Sequence, residues 1–177
     1  MSKIAILIGS PRKGGNTDML VQAFIDGIDK QKNSFETISV ADVRVNGCIG
    51  CNACYANSKC IQKDDMQDIY NKLTDAETIV IATPIYFYGI SSQLKSIVDR
   101  LHNPIRGRFS VKRLVLLMVC ADTIPTVFDS VVAMYQSILS YFSLQDGGII
   151  RACGVKDKGD IAGNPVLNEA FELAKTI

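Results

Sequence analysis

Four of the chain's six cysteines, Cys48, Cys51, Cys54 and Cys60, stand close together with the spacing C-x2-C-x2-C-x5-C. Thiolates packed this densely can wrap one compact, soft metal centre. The bacterial ferredoxin run, C-x2-C-x2-C-x3-C-P, sends its last cysteine to a second cluster. Here Ile61 follows Cys60 and no second run exists, so all four would hold a single centre, with [4Fe-4S] the first candidate. Structural zinc, which usually takes two separated ligand pairs, and free thiols without metal are the alternatives. The chain starts Met1-Ser2-Lys3 and runs straight into Ile4 to Gly9, too short a run for a secretory h-region and cleavage site. A cytoplasmic protein with reduced thiols is expected, rather than a disulfide framework.

A second chemical signal is Gly9-Ser10-Pro11-Arg12-Lys13-Gly14-Gly15-Asn16-Thr17, which follows an apolar run and leads at once into a helical pattern. Small residues at a helix N-terminus present unpaired N–H groups and the positive end of the dipole, which suits a phosphate. Ser10, Asn16 and Thr17 add side-chain donors, Gly15 a close backbone approach, and Arg12 or Lys13 charge. Gly15-Asn16-Thr17 replaces the Gly-Lys-Ser/Thr of a nucleotide triphosphate loop, and Ser10-Pro11 removes the G-x-G-x-x-G fingerprint of dinucleotide sites. A terminal monophosphate remains, beside the plain alternative of a polar turn capped by Asn16 or Thr17.

The third signal is Thr83-Pro84-Ile85-Tyr86-Phe87-Tyr88-Gly89. Three consecutive aromatics cannot all enter one core, because neighbouring side chains diverge, so at least one should line a surface or a ligand. The alternative is that they cover the core or a subunit interface.

The elements that must position these groups are short apolar strands alternating with amphipathic stretches. Strands are expected at Lys3–Ile8, Phe35–Val40, Glu77–Ala82, Arg113–Val119 and Gly148–Ala152. Helices are marked by Leu20 to Ile28, Met66 to Leu73, Ile90 to Leu101, Val127 to Phe142 and Val166 to Ala174. Runs such as Leu114 to Val119 are apolar on both faces, as a sheet covered on both sides requires. The expected fold is therefore α/β: one three-layer, doubly wound, five-stranded parallel sheet of order 2-1-3-4-5 spanning residues 1–177, with a cysteine-rich insertion at about 46–63. In that order strands one and three flank the point where the winding reverses, so the two loops meet on one rim. A planar aromatic group carrying a monophosphate would satisfy both. The insertion follows strand two and should emerge on the same rim, as should Asp122 after strand four.

With 19 basic and 18 acidic residues the formal charge is +1, which gives no broad basic face for nucleic acid or anionic lipid. No apolar stretch reaches the roughly 18 residues of a membrane span. Partners of both kinds are excluded on these grounds.

Gly9 to Thr17 (GSPRKGGNT), together with Ala82 to Arg100 (ATPIYFYGISSQLKSIVDR), resembles the flavodoxin-like NAD(P)H-dependent FMN reductases, and within them the iron-sulfur flavoproteins with their compact cysteine run. Gly154 to Lys175 is similar to the ending of those proteins. The resemblance implies non-covalent FMN, with its phosphate on Ser10, Arg12, Asn16 and Thr17 and its isoalloxazine along Pro84, Ile85, Tyr86, Phe87, Tyr88 and Gly89. It implies also a homodimer or homotetramer.

His102, the single histidine, lies at a helix end and is assigned a surface role. Asp64-Asp65 are read as a helix cap, Cys120 and Cys153 as core, and Arg106 and Arg108 as solvated. The expected activity is a flavin-dependent oxidoreductase that needs no protein general base. NAD(P)H or a ferredoxin-like donor would reduce FMN, and a quinone, flavin, metal ion or oxygen species would take the electrons. A flavin carrier without turnover and a redox-sensing module are the competing readings.

Overall fold

A computed structural model describes residues 1–102 and 104–177. Strands β1 (Ser2–Ile8), β2 (Asn33–Ser39), β3 (Thr78–Pro84), β4 (Arg113–Val119) and β5 (Gln145–Ala152) form one sheet. Its order is β2-β1-β3-β4-β5, and all four pairings are parallel. Period-two alternation divides the core into two layers. Ala5, Leu7, Ile79, Ile81, Leu114 and Leu116 pack on one face, under α3 (Met66–Thr74), α4 (Ser92–Leu101) and α5 (Asp129–Phe142). Ile4, Ile6, Val80, Ala82, Val115 and Leu117 pack on the other, under α1 (Asn16–Gly27) and α6 (Val166–Ala174). Strand β5 starts at Gln145, earlier than its apolar pattern suggests, because Gly147-Gly148 interrupt that pattern where the β4–β5 register shifts. The cysteine segment holds a short helix, α2 (Ala53–Asn57), and 3-10 turns stand at Pro104–Arg108 and Pro125–Phe128. No helix among the described residues is long and apolar enough to cross a membrane.

The end of β1 sits close against α4. A Cβ on Gly9 would lie 2.6 Å from Leu94 Cδ2 and 3.1 Å from the Ala82 carbonyl oxygen. Only glycine lets the first loop leave the sheet this near to the helix that follows the third strand.

The other end of α4 carries a buried charge. Arg100 is 2% exposed. Its Nη1 donates to Asp64 Oδ2 at 2.5 Å and to the Asn46 carbonyl at 3.1 Å. Asp64 also accepts from the N–H groups of Asn46 and Met66, and Asp65 accepts from the N–H of Arg44. The acidic pair therefore does more than cap α3, because it clamps the incoming and outgoing strands of the cysteine insertion together.

This clamp also bears on the path of the insertion. The insertion leaves β2 on the rim, but Val43, Val45 and Asn46 then run beside Gln93 and Ile97 along α4. Cys48 ends beside Asp99 and His102. At ~1.5 Å per residue, Arg100 lies about 12 Å down the helix from Ser92, and its guanidinium reaches Cys60 Sγ. The buried ion pair is not disclosed by the acid–base spacing in the sequence.

Replacing Gly9 by Ala should lower stability by about 1–3 kcal/mol through overpacking, or ~2–4 °C in Tm per kcal/mol for a chain of this size. A melting curve unchanged within error would refute the close contact. Asp64 also gives a pH dependence. Burial alone would raise its pKa, but the Arg100 hydrogen bond, the Asn46 N–H and the Arg100 charge outweigh it and hold the carboxyl below the usual range. A depressed folded pKa stabilises above the unfolded value of about 3.9 and is lost as the pH falls through the folded one. Asp64→Asn should therefore flatten acid unfolding below about pH 4, while costing about 3–5 kcal/mol at neutral pH because Arg100 is left buried and unpaired. Urea melts across pH check both.

Candidate functional site

Ser91 joins the two loops. It is fully buried, and its Oγ–H donates to the Gly9 carbonyl at 2.6 Å. The same Oγ accepts from the Leu94 N–H and so caps α4. The Gly9 N–H donates to the Ala82 carbonyl at 2.7 Å, and Thr83 Oγ1 accepts from the Ser91 N–H. The ends of β1 and β3 thus share one hydrogen-bond network on the rim.

On the first loop, Ser10 Oγ accepts from the Arg12 N–H and donates to the Arg12 carbonyl, closing a tight turn. Gly14 has φ +65° and donates its N–H to the Asp18 carboxylate. Helix α1 then begins at Asn16 with Gly15 as its N-cap and no side-chain cap on that residue, and the Asp18 carboxylate stands in its first turn. Thr17 is buried in this turn and Arg12 is exposed, without an ion pair among the described residues.

Two features of the loop differ from expectation. The Asn16 side chain is turned to residues 157–161: its Nδ2 donates to the Asp157 carbonyl at 2.8 Å, and its Oδ1 accepts from the N–H groups of Gly159 and Ile161. Its Oδ1 and one Nδ2–H are engaged in folding, which leaves the second Nδ2–H and the backbone N–H for an anion. A further positive charge, which the sequence reading does not include, stands at this loop besides that of Arg12. Lys158 Nζ donates to the Lys13 carbonyl at 3.2 Å and lies 3.0 Å from where a Gly14 Cβ would stand. Lys13 itself is paired with Asp42. No local spacing reveals Lys158, since it reaches the loop from 145 residues away.

On the third loop, Tyr86 and Gly89 exchange two backbone hydrogen bonds, N–H to carbonyl in each direction. Phe87 and Tyr88 between them have φ +47° and +64°. This is the type I′ pattern, which normally takes Asn and Gly. Left-handed aromatic residues cost of order 1–3 kcal/mol each and cluster at functional sites. All three rings are outside the core, Phe87 being 98% exposed, and Phe87 and Tyr88 meet edge to face at 5.9 Å. The Tyr88 carbonyl accepts from Ser130 Oγ–H, which ties the turn to α5. Pro84 ends β3 and is buried, while the half-buried Ile85 donates its N–H to the Val119 carbonyl.

Asp122 follows β4 on the same rim. Its carboxylate accepts from the Ile124 N–H and its carbonyl from the Gly154 N–H. Cys120 is buried, and burial together with Cys153 pushes its thiol up to about 11, so it stays protonated at neutral pH.

The four clustered thiols are not assembled. Cys48 and Cys51 are exposed, Cys54 and Cys60 half-buried, and no three metal-binding side chains converge among the described residues. Left-handed Asn52 and Ser58 bracket α2, which sets Cys54 on its own helical turn. Such a cage acquires its order with its metal. The donor chemistry nevertheless fits iron and sulfide, because the segment offers four soft ligands. One of them, Cys60 Sγ, already accepts from Arg100 Nη2 at 3.3 Å. The FMN implied by the resemblance also fits, because an uncapped helix end and an outward aromatic turn stand side by side. A cavity of about 640 Å³ lies elsewhere. It is an apolar space between α4 and α5 lined by Ile79, Val98, Leu114 and Ile138, with Cys48 and His102 at its edge.

Comparison with known proteins agrees with this arrangement. An iron-sulfur flavoprotein of Methanocaldococcus jannaschii is 40% identical over 110 residues, 62% of this chain and 56% of that protein. The chain thus spans little more than half the length of that relative. The structure of a Trp repressor binding protein from Bacillus subtilis superposes with a TM-score of 0.72 at 22% identity, covering 98% of both chains. That of an FMN-dependent NADH-azoreductase from Bacillus anthracis, solved with FMN, gives 0.70 at 16% identity over 99% of both. The NADPH-dependent FMN reductase family matches residues 2–145. Both rim loops and four of the five strands lie inside that stretch, and the chain belongs to the NADPH-dependent FMN reductase family.

Proposed function

We propose that the chain is an FMN-dependent oxidoreductase that moves electrons between NAD(P)H, or a ferredoxin-like donor, and a small acceptor such as a quinone, a flavin or an oxygen species. The observation that carries this reading is the Ser91 network, which holds an uncapped helix N-terminus and an exposed aromatic turn on one rim. The N–H groups at the start of α1, with Ser10, Arg12, Thr17 and Lys158, would receive the phosphate. Pro84 to Gly89 would flank the ring, and Asp122 would close the far side of the rim. Bound FMN would supply the hydride and electron chemistry, which needs no base from the protein. The chain agrees with this: His102 is the C-cap of α4, at the other end of that helix from Ser91, and meets Tyr141.

We further propose a [4Fe-4S] cluster on Cys48, Cys51, Cys54 and Cys60 as an electron relay. The thiol spacing and the name of the Methanocaldococcus relative support it. A cytoplasmic homodimer or homotetramer is part of the same reading. The apolar cavity between α4 and α5 and the exposed Tyr141 beside it support association.

The test is anaerobic purification with an absorption spectrum, iron and acid-labile sulfide analysis, and assays of NADH and NADPH oxidation. FMN bands, iron and sulfide in equal amounts, and steady turnover are expected. Protein that neither retains nor binds flavin would end the proposal, whereas bound FMN without turnover but with fast exchange with ferredoxin would make it a carrier. Riboflavin, which lacks the phosphate, should bind about 10²- to 10⁴-fold more weakly than FMN, from two lost charge-assisted hydrogen bonds at ~1.5–3 kcal/mol each. Fluorescence titration measures the ratio, and equal affinities would remove the phosphate from the first loop.

A further inference from the structure

Arg100 makes more contacts than a salt bridge to Asp64 requires. Its guanidinium meets three acceptors from three parts of the insertion: Asp64 Oδ2, the Asn46 carbonyl and Cys60 Sγ. Its own carbonyl accepts from Tyr70 Oη–H at 3.0 Å, which fixes the end of α4 against α3. One donor is left over. Arg100 Nε is the one buried side-chain nitrogen or oxygen among the described residues without a hydrogen-bond partner. A buried donor left unmade normally costs about 1–3 kcal/mol, so it calls for an explanation. In the planar fork of an arginine, Nε–H and one Nη2–H leave the same edge. Nη2 already reaches Cys60 Sγ, so the idle N–H belongs to the edge that faces the cysteine segment.

We propose that Arg100 is a positioning residue for a metal–sulfur centre on the cysteine segment, directing Cys60 with Nη2–H and offering Nε–H to a second sulfur of that centre. The inference rests on the cluster reading given above and adds to it the residue that governs the centre's stability and potential. Hydrogen bonds and positive charge at cluster sulfurs stabilise the reduced, more negative state and so raise the reduction potential. A lysine cannot reproduce this role. It keeps a cation against Asp64, and with it the neck of the insertion, but it has no second N–H on a fixed edge.

The experiment reconstitutes wild type, Arg100→Lys and Arg100→Gln with ferrous iron and sulfide under argon. It measures the rate of iron loss to a chelator and the midpoint potential by EPR-monitored titration. FMN affinity, which depends on the opposite end of α4, reports that each variant is folded. Both variants should lose iron about 10- to 100-fold faster, the range typical of outer hydrogen bonds to metal ligands. Both midpoints should move to more negative values, Arg100→Gln further than Arg100→Lys. Arg100→Lys with wild-type iron retention and midpoint overturns the proposal, whatever Arg100→Gln does. Wild type with ¹⁵N-labelled arginine provides a second reading that needs no variant: the reduced centre should show ¹⁵N hyperfine coupling, and its absence overturns the proposal equally. Wild-type protein that takes up no iron and sulfide would instead remove the cluster reading itself, a result distinct from either.

Discussion

The contact on which the rim depends is the hydrogen bond from Ser91 Oγ to the Gly9 carbonyl, made in a fully buried position. It converts two loops that are far apart in sequence into neighbours with a fixed spacing. The bond is possible only because Gly9 lets α4 approach β1 and because Ser91 is simultaneously the cap of α4. One hydroxyl therefore serves as acceptor for the helix and donor to the strand end. Its loss would leave a buried carbonyl and an uncapped helix at once, so the energetic penalty falls on both loops together.

Helix α4 transmits this constraint in the other direction. Its N-terminus is fixed at the rim by Ser91, and near its C-terminus Arg100 clamps the neck of the cysteine segment. The two candidate redox elements are thus placed by the two ends of one ten-residue helix. A rigid helix is a more exact spacer than a loop, so the separation is set by residue count rather than by flexible chain.

Much of the architecture was legible because it is local. The alternation in Ile4 to Ile8 and Leu114 to Val119 places residues on two faces, and the 3.6-residue pattern of Leu94, Ile97 and Leu101 draws a helix without reference to anything distant. The two rim loops were legible for a related reason, since glycine, proline and aromatic runs mark backbone that cannot be regular. What escaped was set by contacts between distant residues. The Asn16 side chain was read as a ligand donor because of its place in the loop, but residues 157–161 offer three backbone partners and capture it. Lys158 enters by the same long-range contact. Nothing in the local sequence marks Arg100 as buried, because its partners Asp64 and the Asn46 carbonyl come from 36 and 54 residues away.

The choice of arginine at position 100 follows from what a buried cation must satisfy. Burial opposes the charge, yet the hydrogen bond and charge of Asp64 outweigh it and hold the guanidinium's pKa above its ordinary value. The group therefore stays charged throughout the physiological range. Taking an ion pair out of water is favourable only when its remaining donors are also met. Five N–H directions in a fixed plane suit a neck made of a carboxylate, a backbone carbonyl and a thiol, which approach from different sides. An apolar residue of similar volume could fill the space, but it would leave the Asn46 carbonyl and the Asp64 carboxylate without this donor. The neck would then be held only by the Asp64 and Asp65 carboxylates on the Asn46 and Arg44 N–H groups, with no donor left to direct Cys60.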